Sequence, residues 1–144
     1  MNAEAAAFAE MFSQLGSISA VLGGFAFASA GALLAASEER AGRAAAVAVG
    51  AAVLSAACFI LSALSWTLST VRATGAASIG DGLPASLFSI HAVMSLVFEV
   101  GVLALFVSLG ASGWVRSPRL GWFTAGAALV AAVAATVIVF QFVA

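Results

Sequence analysis

Four long apolar runs, separated by short polar segments, constrain this chain more than any other feature. Only the third run contains an acidic or basic residue, and the runs cover residues 11–37, 44–71, 86–112 and 120–144. Because about 20 apolar residues cross the hydrocarbon core of a bilayer as a helix, each run predicts a membrane span. Short links between spans predict an all-α, integral membrane four-helix antiparallel (up-down) bundle. We expect residues 1–144 to form one four-span membrane domain.

Composition narrows the classes of function. The chain is 64% hydrophobic and 8% charged, whereas about a quarter of the residues in a soluble domain are charged. The net charge is −1 and the five basic residues are dispersed, so we expect no nucleic-acid partner. The sequence has no CxxC motif, nucleophile-and-base set, phosphate loop or metal-ligand cluster. We therefore expect no enzyme and no cofactor.

The distribution of arginine predicts the orientation in the membrane. The links after the first and third spans hold Arg40, Arg43, Arg116 and Arg119, whereas the opposite side holds Arg72 alone. By the positive-inside rule the two arginine-rich links face the cytoplasm and both termini face outside. With no basic residue before the first run, we expect a retained span in the plasma or inner membrane rather than a cleaved signal peptide.

The third run combines membrane length with ionisable side chains. His91, Ser95 and Glu99 recur every four residues, so they share one slowly turning face of a helix. His91 and Glu99 are about 12 Å apart along the axis, too far to touch. An ionisable residue at membrane depth predicts an ion or proton site. The alternative is structural, with a neutral Glu99 hydrogen-bonded to Ser62 or to a facing carbonyl.

Small residues recur at every fourth place along the first run, at Gly16, Ala20, Gly24, Ala28 and Ala32. In lipid, small residues let helix backbones approach closely. This pattern favours helix packing. The sharper hypothesis is that Gly24, Ala28 and Ala32, with Ser17 nearby, line a shared axis in a homo-oligomer.

A polar stripe is predicted along the second run. Its members recur at intervals of three and four and are Ser55, Cys58, Ser62, Ser65 and Ser69. Such a stripe is more often turned towards protein than towards lipid, although each serine is also able to bond its own helix carbonyl. Trp66, near the far end of the run, is typical of an interfacial anchor.

Two segments beside the apolar runs, residues 3–10 and 72–84, are more polar than the runs themselves. Residues 3–10 are amphipathic and lack a turn signal before the first span, so we expect one continuous helix capped by Asn2. Residues 72–84 contain three glycines, an aspartate and a proline. That composition predicts the longest loop.

Two stretches resemble the Orai calcium-channel family. Residues 19–26 (SAVLGGFA) are similar to its pore-helix segment, in which small residues and a Gly-Phe-Ala core precede an acidic filter. Residues 96–102, with Glu99 inside, are similar to its third span, which carries a membrane-embedded glutamate. The resemblance implies a four-span architecture and an ion channel whose first span lines the pore.

The sequence also departs from that family. Ala32 stands near the place of the filter glutamate, and Gln14 and Ser17 stand where the family has basic residues. Calcium selectivity is therefore not implied. The family's termini are cytoplasmic, whereas the arginine distribution predicts the reverse.

Three functions remain open from the sequence. The leading hypothesis is an oligomeric pore or ion pathway for a small ion, with Glu99 as its buried site or as a latch. The second is a non-conducting structural or assembly subunit that binds partner helices. The third is a small proton-coupled transporter with Glu99 as the coupling site.

Overall fold

The chain folds into long helices joined by short links. In the computed structural model, the described residues are 3–37, 42–79 and 84–143. The helices are α1 (Ala3–Ser37), α2 (Arg43–Ile79), α3 (Ala85–Arg116) and α4 (Pro118–Val143). Each contains a stretch long and apolar enough to cross a membrane. The all-α class is confirmed, and with four such helices the chain is a multi-pass membrane protein. The exact bounds of the four spans stay a prediction.

The helix boundaries confirm one sequence prediction and correct another. α1 begins at Ala3 and runs without a break through the first span, as predicted. The loop predicted from residue 72 is wrong, because α2 continues to Ile79. Ala73 and Ala76 are buried and extend the packed face of α2, and alanine is the strongest helix former. The proposed cap, Asn2, lies outside the described residues.

Buried positions in α1 and α2 recur alternately every three and four residues. In α1 they are Ala5, Ala9, Phe12, Gly16, Ser19, Gly23, Ala26 and Ala30. In α2 the repeat consists of Ala45, Ala48, Ala52, Ser55, Phe59, Ser62, Trp66, Ser69, Ala73 and Ala76, and Ala56, Cys58 and Ala77 are buried beside it. A repeat that averages 3.5 residues is typical of helices that pack side by side over many turns. Small residues dominate the buried face of α1, which lets neighbouring backbones come close.

Contacts group the chain into two units. Unit 1 comprises Met1–Gly24 and Ala57–Glu99, and unit 2 comprises Phe25–Ala56 and Val100–Ala144. The core of unit 1 is aromatic. The ring of Phe98 lies 5.3 Å from that of Phe59 and 5.5 Å from that of Trp66 between centroids, and Phe12 and Leu87 are buried in the same core.

Unit 2 is packed through small residues and interhelical hydrogen bonds. The Ser55 hydroxyl donates to the carbonyl of Gly101 in α3 at 2.8 Å. The Thr124 hydroxyl of α4 donates to the carbonyl of Gly110 at 2.9 Å. Glycine and alanine at these crossings bring the donor of one helix within reach of the backbone of the next.

The close approach of α3 and α4 requires glycine at position 113. A Cβ atom there would lie 2.8 Å from the Leu120 carbonyl oxygen and nearer still to the Thr124 hydroxyl. We expect Gly113→Ala to lower the free energy of unfolding by about 1–3 kcal/mol, because overpacking forces the backbone to shift. The measurement is thermal unfolding in detergent. Gly126→Ala is the matched control, since a Cβ on Gly126 meets nothing within 4 Å; equal melting temperatures for both variants would contradict the prediction.

Candidate functional site

His91 lies inside the aromatic core of unit 1. Its ring centroid is 5.6 Å from that of Phe12 and 6.4 Å from that of Trp66. The residue is half-buried, but its Nδ1 atom is buried and has no hydrogen-bond partner among the described residues. The histidine is therefore held by ring packing from two helices rather than by hydrogen bonds at Nδ1.

Two further polar atoms of unit 1 share this condition, and one of them belongs to Trp66, whose ring packs against that of His91. Ser62 is 0% exposed and Trp66 is 2% exposed. Neither the Ser62 Oγ nor the Trp66 Nε1 has a hydrogen-bond partner within the described part of the chain. The two residues are one turn apart on α2 and point to the same side. We call Ser62 Oγ, Trp66 Nε1 and His91 Nδ1 the buried polar cluster.

The position of Trp66 corrects a sequence prediction. An interfacial anchor would expose its indole to the headgroup region, whereas Trp66 is buried against His91 and Phe98. The physical reason is its phase in the repeat of α2, where it follows Ser62 by four residues on the packed face. The four-residue spacing from Ser62 is the sequence feature that indicates a buried Trp66. The prediction of an anchor rests instead on the position of Trp66 near the end of an apolar run.

Glu99 borders the same core. It is half-buried and directly follows Phe98, whose ring contacts Trp66. The structural alternative gave Glu99 two possible partners. Ser62 is wrong as a partner, because the Ser62 hydroxyl has no hydrogen-bond partner among the described residues, whereas a bond from Glu99 to a facing carbonyl stays a prediction. Ser95 is exposed, and its hydroxyl donates to the His91 carbonyl of its own helix at 2.9 Å. Of the three residues predicted to share a face, His91 and Glu99 are therefore partly buried and Ser95 is not.

The polar stripe of α2 is turned inward. Ser55, Cys58, Ser62 and Ser69 are buried and Ser65 is half-buried. The hydroxyls differ in what they bond: Ser55 donates across to α3 in unit 2, whereas Ser69 donates to the Ser65 carbonyl of its own helix at 2.9 Å. Ser62 makes neither kind of bond.

The small residues of α1 do not share one packed face within the chain. Gly16 is buried against Thr67, and Gly23 against Phe59, whereas the remaining members of the predicted stripe are exposed. They are Ser17, Ala20, Gly24, Ala28 and Ala32. Steps of four residues advance about 40° beyond a full turn, so the stripe winds away from the packed face. Contact of these residues with a second copy stays a prediction.

Within residues 3–37, 42–79 and 84–143, no three His, Cys, Asp or Glu side chains gather as a metal site would require. No protein-family model matches this sequence, and comparisons with curated proteins and with solved structures found no match. The likeness to the Orai family therefore stays a prediction, and the geometry of unit 1 carries the functional argument.

Ser55 and Ser62 provide a matched pair for the energetics of the interior. They are two turns apart on one face and both are 0% exposed, but only Ser55 donates a hydrogen bond. We expect Ser55→Ala to lower the free energy of unfolding by about 1 kcal/mol or more, because it leaves the Gly101 carbonyl without this donor. We expect Ser62→Ala to leave stability unchanged or slightly raised, because it removes an unpaired hydroxyl. Thermal unfolding in detergent measures both, and a larger loss in Ser62→Ala would show a partner for that hydroxyl.

Proposed function

We propose that this protein is a homo-oligomeric membrane ion pathway that moves protons or a small cation through unit 1. The observation that carries the proposal is the buried polar cluster: three buried polar atoms of unit 1 without hydrogen-bond partners among the described residues, on two apolar helices whose Trp66 and His91 rings lie 6.4 Å apart. Glu99 lies two turns from His91 on α3, about 12 Å along the axis. It is the next acidic or basic side chain on that helix.

The energetic cost of the cluster supports a role beyond packing. A buried polar atom without a partner costs about 1–3 kcal/mol, and hydrocarbon offers no water to offset that cost. Apolar side chains of similar size at these positions would avoid it. Buried polar groups without partners call for a specific explanation. A proton or small cation that interacts briefly with each atom as it passes through unit 1 accounts for all three.

The contacts within unit 1 also support the predicted up-down order of α2 and α3. Phe59 contacts Phe98, whereas Trp66, seven residues later in α2, contacts His91, seven residues earlier in α3. Contacts in this order are those of an antiparallel pair. In such a pair, the serines of α2 in unit 1 would run beside the part of α3 that carries His91 and Glu99.

The outer face of α1 supports association of several copies. Gly24, Ala28 and Ala32 are exposed, and a Cβ on Gly24 meets nothing within 4 Å. A surface of small residues gives a second helix close access to the backbone. In the proposed oligomer this face meets its counterpart in another copy, and the path through unit 1 is repeated in each.

The proposal is tested by flux into liposomes that contain the purified protein. We expect wild type to pass protons or a small monovalent cation, and Glu99→Gln to reduce that flux to the level of empty liposomes, because the amide does not titrate. His91→Phe keeps an aromatic ring between Phe12 and Trp66, and we expect it to reduce flux without lowering the melting temperature.

The matched control for the glutamate is Glu10→Gln. Glu10 is exposed and accepts a hydrogen bond from the Gln14 amide at 3.1 Å, so this variant removes one carboxylate of α1 outside the site. Flux that is lost equally in Glu10→Gln and Glu99→Gln would contradict a specific site. Absence of flux for protons and for every small ion tested in wild type would reject the pathway.

A second candidate is a non-conducting assembly subunit, favoured by the exposure of α4. Only 6% of the most apolar window of this helix is buried inside the chain, which leaves most of its surface for another helix. Mass measurement of the particle in mild detergent separates the candidates. A homo-oligomer disrupted by Gly24→Leu supports the pathway, whereas a different membrane protein bound in fixed stoichiometry, and unaffected by Glu99→Gln, supports the subunit.

A further inference from the structure

Arg43 stands between two apolar grooves of unit 2. One groove has a volume of about 700 Å³ and lies among α2, α3 and α4; its lining includes Val47, Phe106, Trp114 and Leu129. The other has a volume of about 580 Å³ and lies between α1 and α2; its lining includes Leu34, Val49 and Gly50. Arg43 lines both grooves, so one arginine is shared by the two.

The lining has the chemistry of a hydrocarbon site with a cationic end. Apart from Arg43, every residue that lines either groove is apolar or glycine. A guanidinium group binds phosphate through paired N–H donors, and its hydrocarbon stem packs along apolar surface. Trp114 also lines the larger groove and is 39% exposed, and tryptophan is favoured at the depth of lipid headgroups.

The charge of unit 2 adds to this match. Its described residues include Arg43, Arg116 and Arg119 and no acidic residue, while Glu38 and Glu39 lie outside the described residues. Arg116 ends α3 two residues after Trp114, and Arg119 lies in the first turn of α4. The described residues of unit 2 thus carry charge of one sign, which is opposite to that of an anionic headgroup.

We infer that unit 2 binds an anionic diacyl phospholipid, with its phosphate on Arg43 and one acyl chain in each groove. The two grooves that share one arginine match the two chains that share one phosphate. This site involves none of the residues of the proposed ion pathway, so either proposal stands without the other.

The test is lipid binding to the full chain in detergent, followed by native mass spectrometry and by the shift in melting temperature. The probes are dioleoyl phosphatidylglycerol, dioleoyl phosphatidylcholine, a single-chain phosphatidylglycerol and inorganic phosphate. We expect about fivefold preference for the anionic over the zwitterionic diacyl lipid, the effect of about one arginine at a membrane surface. We expect Arg43→Gln to abolish that preference.

A second variant addresses the grooves. Gly50 lines the smaller groove and a Cβ there meets nothing within 4 Å, so Gly50→Leu fills the groove without a clash at that atom. We expect it to weaken binding of the diacyl lipid while single-chain binding persists. The controls are Arg72→Gln, in unit 1, and Gly126→Leu, which lines neither groove and whose Cβ also starts in open space.

Four results would overturn the inference, the last of them for the smaller groove. One is equal binding of the anionic and zwitterionic lipids by wild type. Another is a preference that survives Arg43→Gln. The third is a rise in melting temperature with inorganic phosphate as large as that with the anionic lipid, which would show that Arg43 binds a free anion. A diacyl preference that is unchanged in Gly50→Leu likewise counts against a chain in the smaller groove.

Discussion

Close approach between helix backbones is the constraint on which this structure depends. In lipid the hydrophobic effect does not drive helices together, so packing and interhelical hydrogen bonds must do so. The buried face of α1 is made almost entirely of alanine, glycine and serine. A Cβ on Gly23 would lie 3.3 Å from the Cβ of Phe59, which leaves little room for any larger residue at that crossing.

The same proximity decides what buried hydroxyl groups are able to do. In unit 2, small residues bring the Ser55 hydroxyl within 2.8 Å of the Gly101 carbonyl. In unit 1, aromatic rings fill the space between helices, and Ser62 reaches no partner in the described chain. One face of α2 thus carries a paired serine in one unit and an unpaired serine in the other. Because of this contrast, unit 1 is the place of the candidate site. In unit 2 the buried Ser55 hydroxyl has the hydrogen-bond partner that is usual in a protein interior.

Several features were predictable because they depend on local sequence. The four spans follow from runs of apolar residues matched to bilayer thickness. The inward turn of the polar stripe follows from its helical spacing. The cost of ionisable groups in hydrocarbon selects His91 and Glu99 as candidate residues, and their role stays a prediction. The orientation of the α1 stripe was not predictable in this way. The predicted stripe has a four-residue repeat, whereas the buried face of α1 has a repeat of 3.5 residues. Both include Gly16, but Gly24 belongs to the stripe alone, and only packing decides which repeat is buried.

The sequence by itself determined that the chain is a helical membrane protein with four helices long enough to span a bilayer, and it identified the few ionisable side chains within its apolar runs. Hydropathy and length suffice for this, because the backbone in lipid must satisfy its own hydrogen bonds. Only the tertiary structure decided that Trp66 is a core residue beside His91, that Ser62 lacks a partner, and that Arg43 is shared by two grooves. Each of these depends on which residues of distant helices meet, and that is a property of packing phase rather than of composition.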